Sequence, residues 1–178
     1  KEGKIGEVYS VDATCTSLRP IAEDAWDSIC DWGPTAMLPI FNILGNGYKT
    51  KNIVSHIDDE GHDQFTKITF LYDHAVASAT VAKGVKSEGE LIVSGTKGYI
   101  YVPAPWWKTD YFEIRYEDTS QNKRYFYQLD GEGIRYELVA FTRTIESGRN
   151  LSYVDSNVSN KICEVIGNFY SKVDCTVI

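Results

Sequence analysis

Glu90-Leu91-Ile92-Val93-Ser94-Gly95-Thr96-Lys97-Gly98-Tyr99-Ile100-Tyr101-Val102 decides the fold. Apolar, β-branched and aromatic residues run up to a Gly-Thr-Lys-Gly turn and resume directly beyond it. Residues of this kind suit a pleated surface, and a connection this short joins antiparallel neighbours, because a parallel pair needs a long crossover. The same signature repeats outward in both directions. Residues 53–57, 65–72, 76–82, 90–94, 99–102, 111–116 and 124–128 read as strands, with Asp58-Asp59-Glu60-Gly61 as a second hairpin connection. Residues 5–15 read as an earlier strand, with Val8, Ser10 and Asp12 on one face and Tyr9, Val11 and Ala13 on the other.

Helical periodicity replaces alternation in three places. A helix is expected over 34–44 after a polar, irregular stretch at 16–27, with Pro34 in the first turn and Gly45-Asn46-Gly47 as its stop. Pro39 should loosen it by removing a bond to the Thr35 carbonyl. Ile134, Leu138, Phe141 and Ile145 form one apolar stripe that stops at Ser147-Gly148. Val158, Ile162, Val165 and Phe169 form another, after the cap candidate Asp155-Ser156. One-sided helices need a sheet face to cover. The expected architecture is therefore α+β, a large open and mainly antiparallel sheet with helices packed on one face, in one domain over 1–178.

Aromatic residues crowd the later strands: Tyr99, Tyr101, Trp106, Trp107, Tyr111, Phe112, Tyr116, Tyr125, Phe126 and Tyr127. Alternation sends about half of them to the face without helices. A broad apolar face needs a cover, so a homodimer through the open sheet face is expected. The balance of 18 basic against 25 acidic residues gives a net charge of −7, which repels phosphate backbones and anionic lipid and argues against nucleic acid or membrane as main partner. The strongest apolar run, 36–44, is too short to cross a bilayer. Cys15, Cys30, Cys163 and Cys175 contain no C-x-x-C pair and read as buried or incidental thiols; with no apolar signal core behind Lys1 and Lys4, a cytoplasmic protein is expected. The chain opens at Lys1 directly into a strand pattern, as a cut between two domains would leave it.

Few residues offer chemistry. His56, His62 and His74 have no partner at metal-ligand spacing, no G-x-S-x-G occurs, and the glycines of 94–98 fit a turn better than a phosphate loop. One constellation stands out, Cys30-Asp31-Trp32-Gly33-Pro34-Thr35-Ala36 at a helix entrance. Asp31 reads as a helix cap or as a functional carboxylate. Trp106-Trp107-Lys108, after Pro103-Ala104-Pro105, could stack on a sugar ring and bond its hydroxyls, or pack within the fold.

Asp31-x-Gly33-x-Thr35 followed by an apolar helix to Gly45 resembles the D-x-G-x-H stretch of the glucose-fructose oxidoreductase / inositol dehydrogenase / MocA family. Other stretches resemble that family in the same order: Ile5-Gly6-Glu7-Val8 its first strand after the nucleotide domain, 90–100 its glycine hairpin, 137–148 its helix ending near a glycine, and 158–170 its terminal helix. The resemblance implies a C-terminal domain of the glyceraldehyde-3-phosphate-dehydrogenase-like type. Such a domain binds substrate and dimerises, and its cofactor, NAD or NADP, sits on an N-terminal Rossmann domain that is absent from this sequence. It implies hydride exchange with a sugar or cyclitol hydroxyl carbon in the parent protein, with no activity and no cofactor in this fragment alone. Asp31 and Thr35 occupy the positions of the family's catalytic Asp and His. Thr35 cannot serve as a general base, though it can orient a hydroxyl. The family's E-K-P lysine has no counterpart here. The alternative is a stand-alone or catalytically inactive binding or scaffold domain that uses the aromatic sheet face.

Overall fold

A computed structural model describes residues 3–18, 27–128 and 133–178. Its elements are β1 (Val8–Thr16), α1 (Ser28–Leu44), β2 (Thr50–Ile57), β3 (Asp63–Leu71), β4 (Val76–Ala82), β5 (Leu91–Gly95), β6 (Tyr99–Val102), β7 (Tyr111–Arg115), β8 (Lys123–Phe126), α2 (Ile134–Ser147), α3 (Ser156–Tyr170) and β9 (Cys175–Val177). The nine strands form one sheet in the order β8-β7-β6-β5-β1-β4-β3-β2-β9. This is the expected α+β class. Six of its neighbour pairs are antiparallel, while β1–β4 and β2–β9 are parallel. The β1–β4 pairing is the one that shapes the molecule. The chain leaves β1, builds α1 and the β2–β3 hairpin, and returns as β4 beside the strand it left.

Alternation puts Val11, Ala13 and Cys15 of β1, Ala77, Ala79 and Val81 of β4, Ile68 and Phe70 of β3, and Leu91 and Val93 of β5 on one buried face. The helix α1 lies across β1, β4 and β3 there, burying Ile29, Ala36, Met37, Ile40 and Phe41. Three alanines in the middle of this face leave room for the helix to approach closely. The stripe expected on α3 is buried at all four positions, Val158, Ile162, Val165 and Phe169, against α1.

Five readings need correction. The helix α1 begins at Ser28 rather than at 34, so Pro34 lies in its interior with Pro39. The early start is held from far along the chain. Oδ2 of the fully buried Asp63 accepts the Ile29 N–H at 3.0 Å, and the Ser28 hydroxyl donates to the Asp63 carbonyl at 2.6 Å. Asp27, the local cap position, makes no side-chain cap; it accepts from the Tyr170 hydroxyl at 3.1 Å. Most of the irregular stretch expected at 16–27 lies outside the described residues, and Thr16 ends β1. The stripe of α2 is not covered by the sheet, since Ile134, Leu138, Phe141 and Ile145 are all exposed. The strand β9 was not anticipated.

The fifth correction concerns the open face, which is not broadly apolar. Its centre carries Ser10, Asp12 and Thr14 beside Ser78 and Thr80, and the Ser10 and Ser78 hydroxyls donate to the two oxygens of Asp12, each at 2.5 Å. Aromatics gather only toward β6–β8. There Arg115 lies 4.1 Å over Tyr101 and Arg124 lies 4.6 Å over Tyr111, while Glu113 accepts from both arginines. Phe112 and Tyr125 stack at 5.0 Å beside the buried face, where Phe112 follows the alternation of Ile114. Among the described residues no helix is long and apolar enough to cross a membrane.

Candidate functional site

The parallel pair places two strand ends side by side. Thr16 closes β1 opposite Ala82 of β4, and α1 packs against both strands. Side chains that gather beyond the carboxyl ends of parallel strands border the cleft in many sheet proteins. Here they come from α1, from the end of β4, and from the segments 87–89 and 103–108.

Asp31 lies in the first turn of α1, half-exposed. It is not the cap of that helix, because its backbone N–H already donates to the Asp27 carbonyl at 3.0 Å. Its carboxylate instead faces Lys83, with Oδ2 2.9 Å from Nζ. The Lys83 side chain is 8% exposed, so an ammonium that would otherwise demand water is held beside a carboxylate that opens to solvent. Sequence reading passed over Lys83. The signal was present, since the series Ala77, Ala79, Val81 fills the buried face of β4 and Lys83 is the next residue in that alternation.

Trp32, adjacent to Asp31, meets Trp107 with ring centroids 5.2 Å apart, and Trp107 meets Trp106 edge-on at 6.0 Å. The three rings form a shelf. Trp106 is the anchor: its indole N–H donates to the Thr14 carbonyl at 3.1 Å, and its backbone N–H donates to the Gly89 carbonyl at 3.0 Å. Trp107 lies against Gly89, where a Cβ would come within 3.2 Å of the indole ring. The indole N–H of Trp32 and the hydroxyl of Ser17 are buried without a hydrogen-bond partner among the described residues. Buried polar atoms are seldom left so.

Of the residues singled out from sequence, the structure joins Trp106 and Trp107 to the Asp31 neighbourhood through Trp32. Thr35 lies one turn beyond Asp31 on the same side of α1, half-buried. Lys108 is exposed, and its backbone N–H closes a turn onto the Pro105 carbonyl at 2.9 Å. Among the three histidines, His62 lies in the Asp58 turn with Nδ1 3.7 Å from the Asp58 carboxylate. No group of three or more His, Cys, Asp or Glu among the described residues could hold a metal ion. The thiol of buried Cys15, beside Trp106, is pushed up to about 12 by burial, which leaves it unreactive at neutral pH.

An apolar concavity of about 500 Å³ lies elsewhere, lined by Ile5, Val8, Ile43, Val93, Ile100 and Ile114. Ile43 is near the far end of α1, about 18 Å along its axis from Asp31 at 1.5 Å per residue. That concavity is mainly apolar, with Lys4, Asn42 and Tyr125 among its lining, whereas the Asp31–Lys83 and tryptophan group combines a carboxylate, an ammonium and ring faces.

No protein-family model and no curated protein matches the sequence. Solved structures do match its fold. KijD10, a 3-ketoreductase from Actinomadura kijaniata solved with NADP and TDP-benzene, superposes with a TM-score of 0.83 at 15% identity, covering 99% of this chain and 57% of that one. The aldose-aldose oxidoreductase from Caulobacter crescentus, complexed with glycerol, gives 0.78 at 18% identity over 97% of this chain and 55% of its own. An NAD binding oxidoreductase from Klebsiella pneumoniae gives 0.75 at 13% identity over 96% and 58%. The chain thus spans 55–58% of the length of these three structures.

Proposed function

We propose that this domain forms the substrate wall of an NAD(P)-dependent oxidoreductase acting on a hydroxyl or ketone carbon of a sugar or cyclitol, of the glucose-fructose oxidoreductase / inositol dehydrogenase / MocA type. The observation that carries the reading is the Asp31–Lys83 pair beside the Trp32–Trp107 shelf, at the carboxyl ends of the parallel strands. The shared fold of NADP- and NAD-binding oxidoreductases supports it.

A sugar hydroxyl that loses or gains a proton while its carbon exchanges hydride needs a group to take or give that proton, and a surface that fixes the ring. Asp31 is open to solvent on one side and held by Lys83 on the other, so its carboxylate is positioned to accept a hydrogen bond from the reacting hydroxyl or a neighbouring one. The Lys83 ammonium, 2.9 Å from Oδ2, fixes the orientation of that carboxylate. The ring faces of Trp32 and Trp107 suit the C–H face of a sugar, and Thr35 can orient a hydroxyl by donating and accepting. NAD(P) would supply or receive the hydride. No G-x-G-x-x-G joins a strand to a helix in this sequence, and no step is assigned to residues that would hold it. Pairing of two copies through the open sheet face belongs to the same reading, now resting on the Arg115–Glu113–Arg124 and tyrosine cluster rather than on an apolar surface.

The test is Asp31→Asn in the polypeptide expressed from its native coding sequence. Turnover of NADPH with a keto sugar should fall about 100-fold, the scale of one positioned acid–base group, while NADPH affinity stays within about twofold. Equal turnover in the two proteins would remove Asp31 from the mechanism.

A further inference from the structure

The helix α1 packs chiefly on β4, β1 and β3, and the same face of the sheet continues past it across β5 to β8. Register sets an apolar row straight across that extension: Val93 lies opposite Ile100, Ile100 opposite Ile114, and Ile114 opposite Lys123 at the edge strand. The neighbouring row pairs Phe112 with Tyr125, whose rings stack at 5.0 Å. Val93 and Ile114 are only 3% and 4% exposed, so they floor a walled concavity rather than a flat patch. Ile43, at the carboxyl end of α1, forms one wall, and Phe112 with Tyr125 forms the other. Its volume of about 500 Å³ falls among those of small-molecule sites. Charge and hydrogen-bonding capacity gather at the β8 end. There the Lys4 ammonium donates to the Tyr125 hydroxyl at 3.2 Å and lies 5.0 Å from the centre of its ring. A hydroxyl that accepts in this way keeps its own proton to donate. The segment that carries Lys4 is pinned to the β5–β6 hairpin, since the Lys97 N–H donates to the Ile5 carbonyl at 2.9 Å and the Thr96 N–H to the Glu7 carbonyl at 3.0 Å. Its polar end is therefore built before any ligand arrives.

We propose that this concavity binds a carboxylate with a medium-length hydrocarbon body, at a site separate from Asp31 and independent of the oxidoreductase reading. A sugar does not suit it, because hydroxyls set on a floor of Val93, Ile100 and Ile114 would lose water and gain no partner. A hydrocarbon gains in proportion to the area it buries. The row runs over three strand spacings, roughly 14 Å from β5 to β8, which fits an extended chain better than a compact ring. The polarity is one-ended. A carboxylate at the β8 end meets an ammonium and a phenolic proton, and bonds between charged groups are the stronger ones. The opposite wall presents the carboxyl end of α1, whose outward carbonyls repel an anion, so the head group belongs beside Lys4. In a chain of net charge −7, Lys4 and Lys123 place positive charge here, while Glu113 of the same strands lies on the other face with Arg115 and Arg124.

The experiment titrates the 178-residue chain with octanoate, decanoate and decanol by calorimetry, with methyl resonances recorded alongside. Decanoate should saturate one site and move the methyl signals of Val93, Ile100 and Ile114. Octanoate should bind about 15-fold more weakly, since each buried methylene is worth about fourfold. Lys4→Met, at an exposed position the fold tolerates, should weaken decanoate about tenfold and leave decanol unchanged. Ile43→Glu, also exposed, sets a charge against the hydrocarbon and should weaken both ligands while the melting temperature holds. An effect of Lys4→Met that is absent, or equal for decanoate and decanol, overturns the assignment to a carboxylate. No saturable binding of any of the three, or shifts confined to the exposed apolar stripe of α2, overturns the site itself.

Discussion

Asp63 holds the entrance of α1 and so the position of Asp31, which makes its titration a direct probe of how the site is supported. Its carboxyl is fully buried, Oδ1 has no partner among the described residues, and burial pushes its pKa from 3.8 to about 6 despite hydrogen bonds from Thr66 and Ile29 to Oδ2. The folded state therefore binds this proton more tightly than the unfolded chain does. The stability that follows is fully present below pH 4 or so and is lost as the pH rises through about 6. A shift of this size corresponds to about 3 kcal/mol. Asp63→Asn keeps an oxygen for Ile29 and Thr66 and cannot ionise. The stability of the parent chain minus that of the variant should accordingly fall by up to about 3 kcal/mol between pH 4 and pH 7. Asp58, Asp73, Glu113 and Asp118 titrate in the opposite sense, each held low first by a hydrogen bond, and cancel because both proteins contain them. Urea titrations followed by tryptophan fluorescence at the two pH values measure the difference. A difference that is constant, or that grows with pH, would refute the burial argument.

Three further substitutions probe other parts of the account. Gly95→Ala would set a Cβ 2.3 Å from the Ile5 carbonyl oxygen, so the hairpin must shift and about 1–3 kcal/mol of stability should be lost in thermal or urea unfolding. Trp106→Phe keeps an aromatic ring but removes the bond to the Thr14 carbonyl and part of the packed volume, and should cost about 1–3 kcal/mol by the same assay. Lys83→Met conserves volume and frees a carboxylate that water can reach, so stability should stay within about 1 kcal/mol. In the native polypeptide the same variant should lower kcat with a keto sugar and shift its pH profile, and an unchanged profile would remove Lys83 from the site.

Alternation and turn chemistry made the sheet readable from sequence, because both are local. Val76–Ala82 and Tyr99–Val102 match their readings residue for residue. What escaped reading depends on distant partners. The start of α1 is fixed by Asp63, more than thirty residues away in the chain, and the pairing of β1 with β4 joins strands separated by α1 and a hairpin. The open face misled for a different reason. Counting aromatics took no account of the arginines and glutamate placed between them, nor of the serines and threonines that β1 and β4 turn to the same side. At the candidate site, Asp31 and the tryptophan pair were legible as unusual residues in a polar and a proline-rich context. Lys83 was not, because a single lysine after an apolar strand resembles a strand end unless its parity is followed onto the buried face.

The account turns on substrate binding at the carboxyl ends of the parallel strands, and nuclear magnetic resonance of the 178-residue chain tests that claim most directly. Titration with glucose, myo-inositol and a thymidine diphosphate sugar should move the Trp32 and Trp107 indole signals and the amides around Asp31 and Lys83, with Asp31→Asn weakening the response. Perturbations confined to the apolar concavity around Ile43 and Val93, or none with any of the three ligands, would contradict it.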